Sequence, residues 1–439
     1  MQQTLRRTVS SALGNTPIVH GDEEYAGRVL SHEISAELCR DIRDSSPVAF
    51  GVTANFKKVI DDFKVPTGET PAGYRVEYNI DSENVVRADL KRDISYEKNE
   101  VRRPTNVLFS ADSANPYEVE HVKDMISNLT CNPAIIYNMF LNNPKANVGG
   151  KFKDRDEVML AIAELLGPGC DISVELNDPF GSSESQILEE AARFKEILSE
   201  HRVIIKVPHT GAVNASNVGE LMTGDKLFRR RYNEGSVEDF FRGHNLALML
   251  HKHGYRVNFT LMYEPYQTQL ALQARPAFIN SFIMFRQTQS EQMLSFTRAY
   301  EVTGDTLYLE QLRDYMVKND YLSALETGCD LHLAYSRAKE LLKYRGYTAE
   351  QHSDGLDGIR HNLRALKAAN LPDTRLIICN FQSEYTYPYV DRMLMEPEFA
   401  DMTQRVVVTA PPSLLGEYTT NAIVTQFHRR FMNAANGAK

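Results

Sequence analysis

The chain has 439 residues, of which 42% are hydrophobic and 24% are charged, with a formal net charge of −9. This composition is ordinary for a folded globular protein and argues against bulk disorder. The acidic balance argues against a nucleic-acid-binding protein, which normally has a basic face. The length fits one decorated barrel of about 250 residues better than two unrelated domains.

The cysteines and the apolar runs give expectations about the compartment. Five cysteines are spread along the chain without a CxxC spacing, which favours a reducing compartment over a disulfide framework or a zinc site: Cys39, Cys131, Cys170, Cys329 and Cys379. The first residues contain no apolar run of signal-peptide length, and no stretch of about 18 apolar residues occurs. We therefore expect a cytoplasmic protein that uses no membrane, metal ion or cofactor.

Residues 1–104 are polar and irregularly patterned, with turn-rich pieces such as VPTGETPAGY. We interpret them as an N-terminal extension, and the sequence leaves its role open among a cap on the barrel, a dimer contact and a separate small domain. From Val107 onward, short apolar runs alternate with amphipathic stretches of helix length. That alternation is typical of repeated βα units around a parallel sheet.

Eight candidate strands follow, and their number predicts a (β/α)8 TIM barrel over residues 105–439. They are NVLFSAD, SNLTCN, DISVEL, RVIIKVP, YRVNFTL, AFINSFI, RLIICNF and QRVVVTA. SNLTCN is the weakest of them because it is only partly apolar. Two stretches exceed the length of a connecting helix and are predicted insertions: residues 211–243, with the basic run FRRRYNEG, and residues 287–371, whose pattern indicates several helices.

Lys206 is the most informative single residue, because it lies between apolar neighbours in the predicted strand RVIIKVP. Lysine is rarely fully buried without a function. In an apolar setting its pKa is expected to fall, which leaves a free amine that attacks a carbonyl to form a Schiff base. The alternative is a lysine at a frayed strand end that extends its ammonium to water, and spacing alone does not decide between the two.

Further polar residues stand near the C-terminal ends of predicted strands, where a TIM barrel has its active site. They are Asp112 in FSAD, Asn132 in LTCNP, Glu175 in ISVEL, and Asn258 with Thr260 in RVNFTL. A polar residue at the end of a strand is more often a helix cap or turn former, and both Asp112 and Asn132 fit that role. Glu175 fits that role less well, because Ile172 and Val174 belong to the same apolar run.

Other chemistries lack a supporting motif. His251 and His253 lie two residues apart, so on a helix they point to different faces and do not form a metal pair. Gly149 and Gly150 match no phosphate-loop spacing, and neither GxSxG nor HExxH occurs. Dinucleotide and metal chemistry are therefore disfavoured.

Six segments in order resemble the transaldolase family, which includes the fructose 6-phosphate aldolases. ADSAN resembles the family's first-strand aspartate motif, LTCNPAII its T-T-N-P-S-L-I segment, and ISVEL its third-strand glutamate motif. IIKVP resembles the lysine strand, VNFTLMYEPYQTQLALQA the N-x-T-L-x-F-S-x-x-Q-A segment, and VVVTAPPSLL the closing A-P-x-L-L. Any one motif arises easily by chance, so the resemblance rests on their order along the barrel region.

The resemblance implies a barrel in which Lys206 forms an imine with a ketose donor and Asp112 is the general acid and base for carbon–carbon cleavage. It also implies that Glu175 and Thr260 hold the water that relays protons during imine formation and hydrolysis. The residues expected to bind the substrate near the lysine are Thr130, Asn132 and Asn258. A protonated imine withdraws electrons from the bond being cleaved, so this chemistry needs no metal.

The sequence departs from the family around the expected phosphate site. The sixth-strand segment S-P-F-V-G-R corresponds to NSFIMFR, which makes Ser281, or Asn280 in a register one residue away, and Arg286 candidate remnants of that site. Gln382 in CNFQS stands where family members have an arginine. A neutral amide cannot supply the charge-assisted contact that favours phosphate, although Gln382 remains a candidate substrate-binding residue.

Further changes surround the pocket. The family's F-S pair is Tyr263-Glu264, and its second threonine and its serine are Cys131 and Ala134. These changes argue against the ordinary sugar phosphates of the pentose phosphate pathway, and the sequence leaves open whether the substrate is phosphorylated. The basic triplet at residues 229–231 is either a replacement anion site or a solvated face.

We therefore predict a transaldolase-like transferase or class I aldolase that acts on a small sugar or sugar-phosphate ketose. Nucleic-acid and membrane partners are not expected, and homo-oligomerisation stays open. The alternative is a binding or scaffold protein that keeps the barrel and has lost turnover. The joint presence of Lys206, Asp112 and Glu175 argues against that alternative.

Overall fold

The computed structural model describes residues 7–63, 67, 74–92, 107–167, 169–199, 201–226, 228–323, 330–347, 354–369, 371, 373–379 and 386–437. Its strands are β1 (Ala49–Val52), β2 (Tyr74–Ile80), β3 (Val85–Arg92), β4 (Leu108–Asp112), β5 (Ile126–Cys131), β6 (Asp171–Glu175), β7 (Arg202–Pro208), β8 (Val257–Thr260), β9 (Phe278–Phe282), β10 (Arg375–Cys379) and β11 (Val406–Ala410).

The described α-helices lie between and beside these strands. They are α1 (Val9–Leu13), α2 (Glu23–Gly27), α3 (Ala36–Ser45), α4 (Ala54–Phe63), α5 (Pro116–Val119), α6 (Arg155–Leu166), α7 (Glu184–Ile197), α8 (Val237–Lys252), α9 (Pro265–Ala271), α10 (Ile283–Thr303), α11 (Leu307–Lys318), α12 (Leu331–Tyr344), α13 (Asp357–Ala368), α14 (Thr386–Leu394), α15 (Pro412–Glu417) and α16 (Ala422–Ala435). A π-helix spans Ala134–Leu141. None of these helices is both long and apolar enough to cross a membrane.

Strands β4 to β11 form a closed barrel in the order β10-β11-β4-β5-β6-β7-β8-β9, and every adjacent pair is parallel. The predicted TIM barrel is therefore confirmed, and each of the eight predicted segments overlaps one barrel strand. The doubtful segment SNLTCN supplies five of the six residues of β5, which begins one residue earlier at Ile126 and is buried throughout. The segment is only partly apolar because the barrel interior is polar at the level of β5.

Local sequence signals fix where the barrel helices begin. Asp154 accepts a hydrogen bond from Glu157 N at the start of α6, and Ser183 and Gln186 form a capping box at the start of α7. Ser236 and Asp239 form another at the start of α8. Each cap satisfies backbone N–H groups that have no partner inside the helix, which stabilises it by about 1 kcal/mol.

Side chains fill the barrel interior in layers, because alternate residues of each strand point inward. An apolar layer contains Leu108, Ile204, Phe278, Ile377 and Val407, all of them fully buried. Along each strand, the inward-pointing residue two positions later lies above this layer, toward the C-terminal mouth. The apolar layer therefore forms a floor beneath the polar residues of the mouth.

The N-terminal extension has a three-stranded sheet in the order β1-β3-β2, with β1 parallel and β2 antiparallel to β3. Helices and strands of this region surround a hydrophobic cluster that includes Ile42, Phe50, Phe56, Val86 and Leu90. This cluster contains no residue of the barrel, so the extension buries apolar surface of its own. The proposed boundary at residue 104 lies outside the described residues and stays a prediction.

The two predicted insertions differ in character. Residues 287–371 contain most of α10 and all of α11, α12 and α13, as the pattern indicated, and α10 to α12 pack around their own apolar cluster. In the other insertion, Arg229 pairs with Asp225 and Arg231 with Asp320, with N–O distances of 2.5 and 3.3 Å. Both arginines thus lie in partly exposed ion pairs, which supports the solvated-face interpretation of the basic triplet.

Candidate active site

Lys206 is buried inside the barrel, and only 4% of its surface is exposed. Its Nζ lies 3.3 Å from Glu175 Oε2 and donates a hydrogen bond of 3.5 Å to the carbonyl oxygen of Cys131. The lysine therefore does not extend to bulk water, and the frayed-end interpretation is wrong. A buried amine in contact with a carboxyl group is a common arrangement at functional sites.

The strand register brings the partners of Lys206 together. Glu175 on β6 and Asn258 on β8 are the direct neighbours of Lys206 on the two adjacent strands. Directly paired residues of parallel strands point to the same side of the sheet, so the three side chains share the barrel interior. Glu175 ends β6 and Lys206 lies two residues before the end of β7, at the C-terminal side of the barrel where TIM-barrel active sites are found.

The charge state of Lys206 corrects the expectation from the sequence. Burial by itself lowers the pKa of Lys206, but the negative charges of Glu175 and Asp112 outweigh burial and raise this pKa above its ordinary value. The expected lowered pKa is therefore wrong for the free protein. Because the ammonium is favoured here, imine formation requires a group that accepts its proton.

Two carboxyl groups near the lysine have the opposite tendency. Burial raises the pKa of both Asp112 and Glu175, and the charge of Lys206 opposes that rise without cancelling it. Asp112 Oδ1 is buried and has no hydrogen-bond partner among the described residues. Both groups therefore accept a proton more readily than an exposed carboxylate, which suits acid–base catalysis near neutral pH.

Two cysteine thiols lie close enough to Lys206 for its positive charge to influence their pKa. Burial raises the pKa of Cys131 to about 12, and it also raises the pKa of Cys379. Because the thiolate is the reactive form, both cysteines are inert at neutral pH. Lys206 is thus the strongest candidate nucleophile of this cluster.

Four predicted polar residues lie at the mouth of the barrel, and they differ in whether their side chains already have hydrogen-bond partners. Thr130 is buried, with its Oγ1 unpartnered among the described residues, and Thr260 is 1% exposed at the end of β8. Asn132 Oδ1 accepts a hydrogen bond of 2.9 Å from Ile135 N, so the predicted capping role is present there. Asn258 donates to Ser173 Oγ at 3.1 Å. An amide nitrogen has two N–H groups, so this contact leaves Asn258 a second donor.

Asn128 is a site residue that the sequence did not reveal. It is fully buried on β5, and neither atom of its amide has a hydrogen-bond partner among the described residues. Together with Thr130 it makes the interior beside Asp112 polar, a setting that suits water or a polar ligand. The signal was present in SNLTCN, where Asn128, Thr130 and Asn132 recur every second residue.

The predicted remnants of a phosphate site lie beside a small pocket at the end of β9. Ser281 and Arg286 line it, together with Tyr263, Pro265, Phe282, Ile283, Gly355, Gly358, Ile359 and Asn362. Arg286 is buried and pairs with Glu264 and with Asp357. The sequence had marked Glu264 as a departure from the family, but it had not revealed Asp357. Gln382 lies outside the described residues.

Comparison with known proteins adds a family assignment to this geometry. The transaldolase/fructose-6-phosphate aldolase family model matches residues 109–295, a range that begins in β4, ends in α10 and contains Asp112, Glu175 and Lys206. A search of curated proteins found no match. The resemblance noted in the sequence is thus confirmed: over residues 109–295, this TIM barrel matches the transaldolase/fructose-6-phosphate aldolase family.

Proposed function

We propose that this protein is a transaldolase-like transferase or class I aldolase in which Lys206 forms a Schiff base with the carbonyl carbon of a ketose. The observation that supports this most directly is the buried contact of 3.3 Å between Lys206 Nζ and Glu175 Oε2 at the mouth of the barrel. The contact supplies both the nucleophile and a proton acceptor for it. The family match supports the same chemistry.

The first step transfers a proton from the Lys206 ammonium to the Glu175 carboxylate. The free amine then attacks the ketose carbonyl, and the resulting carbinolamine loses its hydroxyl group as water, with the proton supplied by Glu175. The product is a protonated imine, and Glu175 is again a carboxylate. The raised pKa of Glu175 suits this exchange, because burial makes the group accept a proton more readily than an exposed carboxylate does.

Carbon–carbon cleavage follows from the imine. The Asp112 carboxylate removes the proton of the hydroxyl on the carbon beyond the bond that breaks, and an aldehyde leaves. The electron pair of that bond moves to the imine and gives a neutral enamine on Lys206. The enamine then adds to an acceptor aldehyde in a transferase, or takes a proton and is hydrolysed in an aldolase. Asp112 Oδ1 has no protein partner among the described residues, which suits a group that binds substrate.

The remaining polar residues have proposed roles in holding the reactants. Thr260 stands at the mouth beside the lysine strand, and we assign to it and Glu175 the water that enters and leaves during imine formation and hydrolysis. Thr130 and the second N–H of Asn258 are suited to bind hydroxyl groups of the donor without adding charge. Asn132 Oδ1 already caps a helix, so its amide nitrogen is the atom that we assign to the substrate.

Borohydride trapping tests the proposal. The protein is incubated with dihydroxyacetone, with free ketoses and with their phosphate esters, and then reduced and digested. We expect a mass increment on the peptide that contains Lys206, and we expect none with Lys206→Met, which keeps the side-chain length without the amine. Lys195, exposed on α7, serves as the matched control, and Lys195→Met should be labelled at Lys206 as the wild type is.

Two results would contradict the proposal. An increment distributed over surface lysines, unchanged in Lys206→Met, would mean that the reduction reports nonspecific glycation. The absence of any adduct in a folded protein would favour the alternative of a binding or scaffold protein that has lost turnover. Detection of the released aldehyde distinguishes cleavage from binding alone.

A further inference from the structure

One side chain, Tyr263, relates the pocket at the end of β9 to the proposed catalytic groups. Tyr263 lines the pocket, and the charges of Cys379 and Glu175 add to burial in raising the pKa of its phenol. Tyr263 therefore lies near both regions. A ketose bound covalently to Lys206 extends from the barrel interior toward the mouth, so this pocket is a candidate site for its distal end.

The charge at the pocket wall is already compensated inside the protein. Among the described residues that line the pocket, Arg286 alone is charged, and only 4% of its surface is exposed. Its Nη1 donates to Glu264 Oε2, and its Nη2 donates to Asp357 Oδ2 at 2.6 Å. Both ends of the guanidinium are thus occupied by carboxylates. A phosphate would have to compete with these carboxylates for the guanidinium, and a displaced carboxylate would lose a charge-assisted hydrogen bond.

A second buried arginine completes this arrangement. Arg345, at the end of α12, donates to Glu264 Oε1 at 3.1 Å, to Ser290 Oγ at 3.0 Å and to Tyr321 Oη at 2.7 Å. Glu264 thus bridges the two guanidinium groups with its two oxygens. Two arginines and two carboxylates form a cluster with no net charge, so the cluster offers no uncompensated cation to a dianionic ligand.

Asn362 contributes a buried acceptor without a donor to the wall of the pocket. Asn362 on α13 is 4% exposed, and its Nδ2 donates to Ser281 Oγ at 3.3 Å. Its Oδ1 is buried without a hydrogen-bond partner among the described residues. A buried carbonyl oxygen that lacks a donor favours a ligand with an O–H group. A phosphate dianion has no such proton and would meet an acceptor.

We propose that this pocket binds an uncharged, hydroxyl-bearing end of the substrate, so that the protein acts on free ketoses in preference to their terminal phosphate esters. This inference rests on the proposed Schiff-base function. The resemblance and the name of the matching family both point to phosphorylated sugars. The internal pairing of Arg286 with Glu264 and Asp357 opposes that assignment for this chain.

Matched substrates test the proposal in the wild-type protein. The rate of trapping at Lys206 is measured against concentration for D-fructose and D-fructose 6-phosphate, each corrected for its open-chain fraction, and for dihydroxyacetone, which lacks a distal end. We expect higher efficiency with fructose than with its phosphate ester. We also expect inorganic phosphate to leave the trapping of fructose unchanged.

Glu264→Gln removes the carboxylate that both arginines share. We expect this variant to raise the efficiency with fructose 6-phosphate relative to fructose by about tenfold or more, the effect of one charge-assisted hydrogen bond to a freed guanidinium. Glu291→Gln, the same substitution at an exposed position on α10, is the matched control and should leave the ratio unchanged. Using the ratio cancels the intrinsic reactivity of each sugar.

Asn362→Ala gives a second test that does not disturb the ion pairs. It should lower the efficiency with fructose by about tenfold, the effect of one lost hydrogen bond in a buried site, and leave dihydroxyacetone unaffected. If Glu264→Gln does not fold, Asn362→Ala and the wild-type ratio still test whether the pocket prefers an uncharged substrate end.

Different results would contradict the specificity of the pocket and the Schiff-base function. A wild-type preference for fructose 6-phosphate, or an unchanged ratio in folded Glu264→Gln, would overturn the inference about the pocket while trapping at Lys206 upheld the Schiff-base function. An equal loss of fructose and dihydroxyacetone trapping in Asn362→Ala would overturn it as well. The absence of adducts with every ketone would instead contradict the proposed function.

Discussion

We expect Asp171→Asn to destabilise the barrel strongly without changing the chemistry at Lys206. Asp171 begins β6 and is fully buried, and its Oδ1 accepts from Arg202 Nε at 2.7 Å and from Arg256 Nη1 at 2.8 Å. Arg375, also buried, adds a third positive charge close to it. The asparagine keeps an oxygen acceptor but no charge, so these arginines lose their common counter-ion.

The expected loss of unfolding free energy follows in part from the pKa of Asp171. Burial acts to raise this pKa, but the three arginines outweigh burial and lower it from 3.8 to about 2. At about 1.4 kcal/mol for each pH unit, the shift corresponds to about 2 kcal/mol of stability at neutral pH. The variant should lose more, about 3 to 5 kcal/mol, because removing one member of a buried ionic group leaves the others uncompensated.

Urea unfolding followed by far-UV circular dichroism measures the effect, because the chain has no tryptophan to report by fluorescence. Asp156→Asn is the matched control: Asp156 also pairs with an arginine, Arg193, but at the surface, so we expect a loss of about 0 to 1 kcal/mol. Since Asp171 has a lowered pKa, its contribution is present above about pH 4 and disappears as the pH falls through about 2. The wild type and Asp171→Asn should therefore converge in acid.

Equal unfolding midpoints for Asp171→Asn and Asp156→Asn at neutral pH would refute this reasoning. A second readout separates stability from chemistry. Lys206 lies four residues beyond Arg202 on β7, about 13 Å at about 3.3 Å per residue, so trapping at Lys206 in the folded fraction should be unchanged. Loss of trapping in fully folded Asp171→Asn would mean that the two ends of the barrel are coupled.

Three further predictions concern the mouth of the barrel. Glu175→Gln removes the largest charge that raises the pKa of Lys206, so the pH dependence of trapping should move to lower pH; an unmoved profile would contradict the coupling. In Asp112→Asn, borohydride trapping at Lys206 should continue, while the rate of aldehyde release should fall by about 100-fold to 10,000-fold. If trapping and aldehyde release fell together, Asp112 would act in imine formation instead. Gly243→Ala would put a Cβ too close to the carbonyl oxygen of Pro208 on the backbone of β7. We therefore expect this variant to be less stable by about 1 to 3 kcal/mol. An unchanged unfolding midpoint would contradict this, because it would mean that α8 shifts to make room for the methyl group.

The barrel was largely predictable because its signals are local. Apolar runs of strand length alternate with capped amphipathic helices, and the caps at Asp154, Ser183 and Ser236 are found where the helices begin. β5 was the exception that required the resemblance. Periodicity alone treats polar residues as exposed, whereas Asn128 and Thr130 face a polar barrel interior.

The burial of the candidate nucleophile Lys206 was also predictable, but its electrostatics were not. A lysine inside an apolar run indicates burial, and burial alone implies a lowered pKa. The sequence does not show that strand register places Glu175 opposite Lys206 and that the charge of Asp112 also reaches it. Those two neighbours reverse the sign of the shift, because a nearby opposite charge counteracts desolvation.

The sequence marked Ser281 and Arg286 as binding candidates, but it did not predict the long-range contacts that form the pocket at the end of β9. Arg286 and Asp357 are 71 residues apart, and Asn362 and Ser281 are 81 residues apart. No periodicity relates positions that an insertion of several helices brings together. Asp357 and Asn362 left no local trace, whereas Glu264 was visible as a carboxylate where the family has a serine.

The catalytic groups and the proposed specificity groups lie on different parts of the fold. Asp112, Glu175 and Lys206 are fixed by the register of barrel strands, so a shift of any one strand would separate them. Asp357 and Asn362 belong to the helical insertion instead, which can change in sequence without altering that register. A substrate preference encoded in the insertion can therefore change while the Schiff-base machinery stays intact. This separation gives a physical reason why the proposed Schiff-base residues can occur beside a neutralised Arg286.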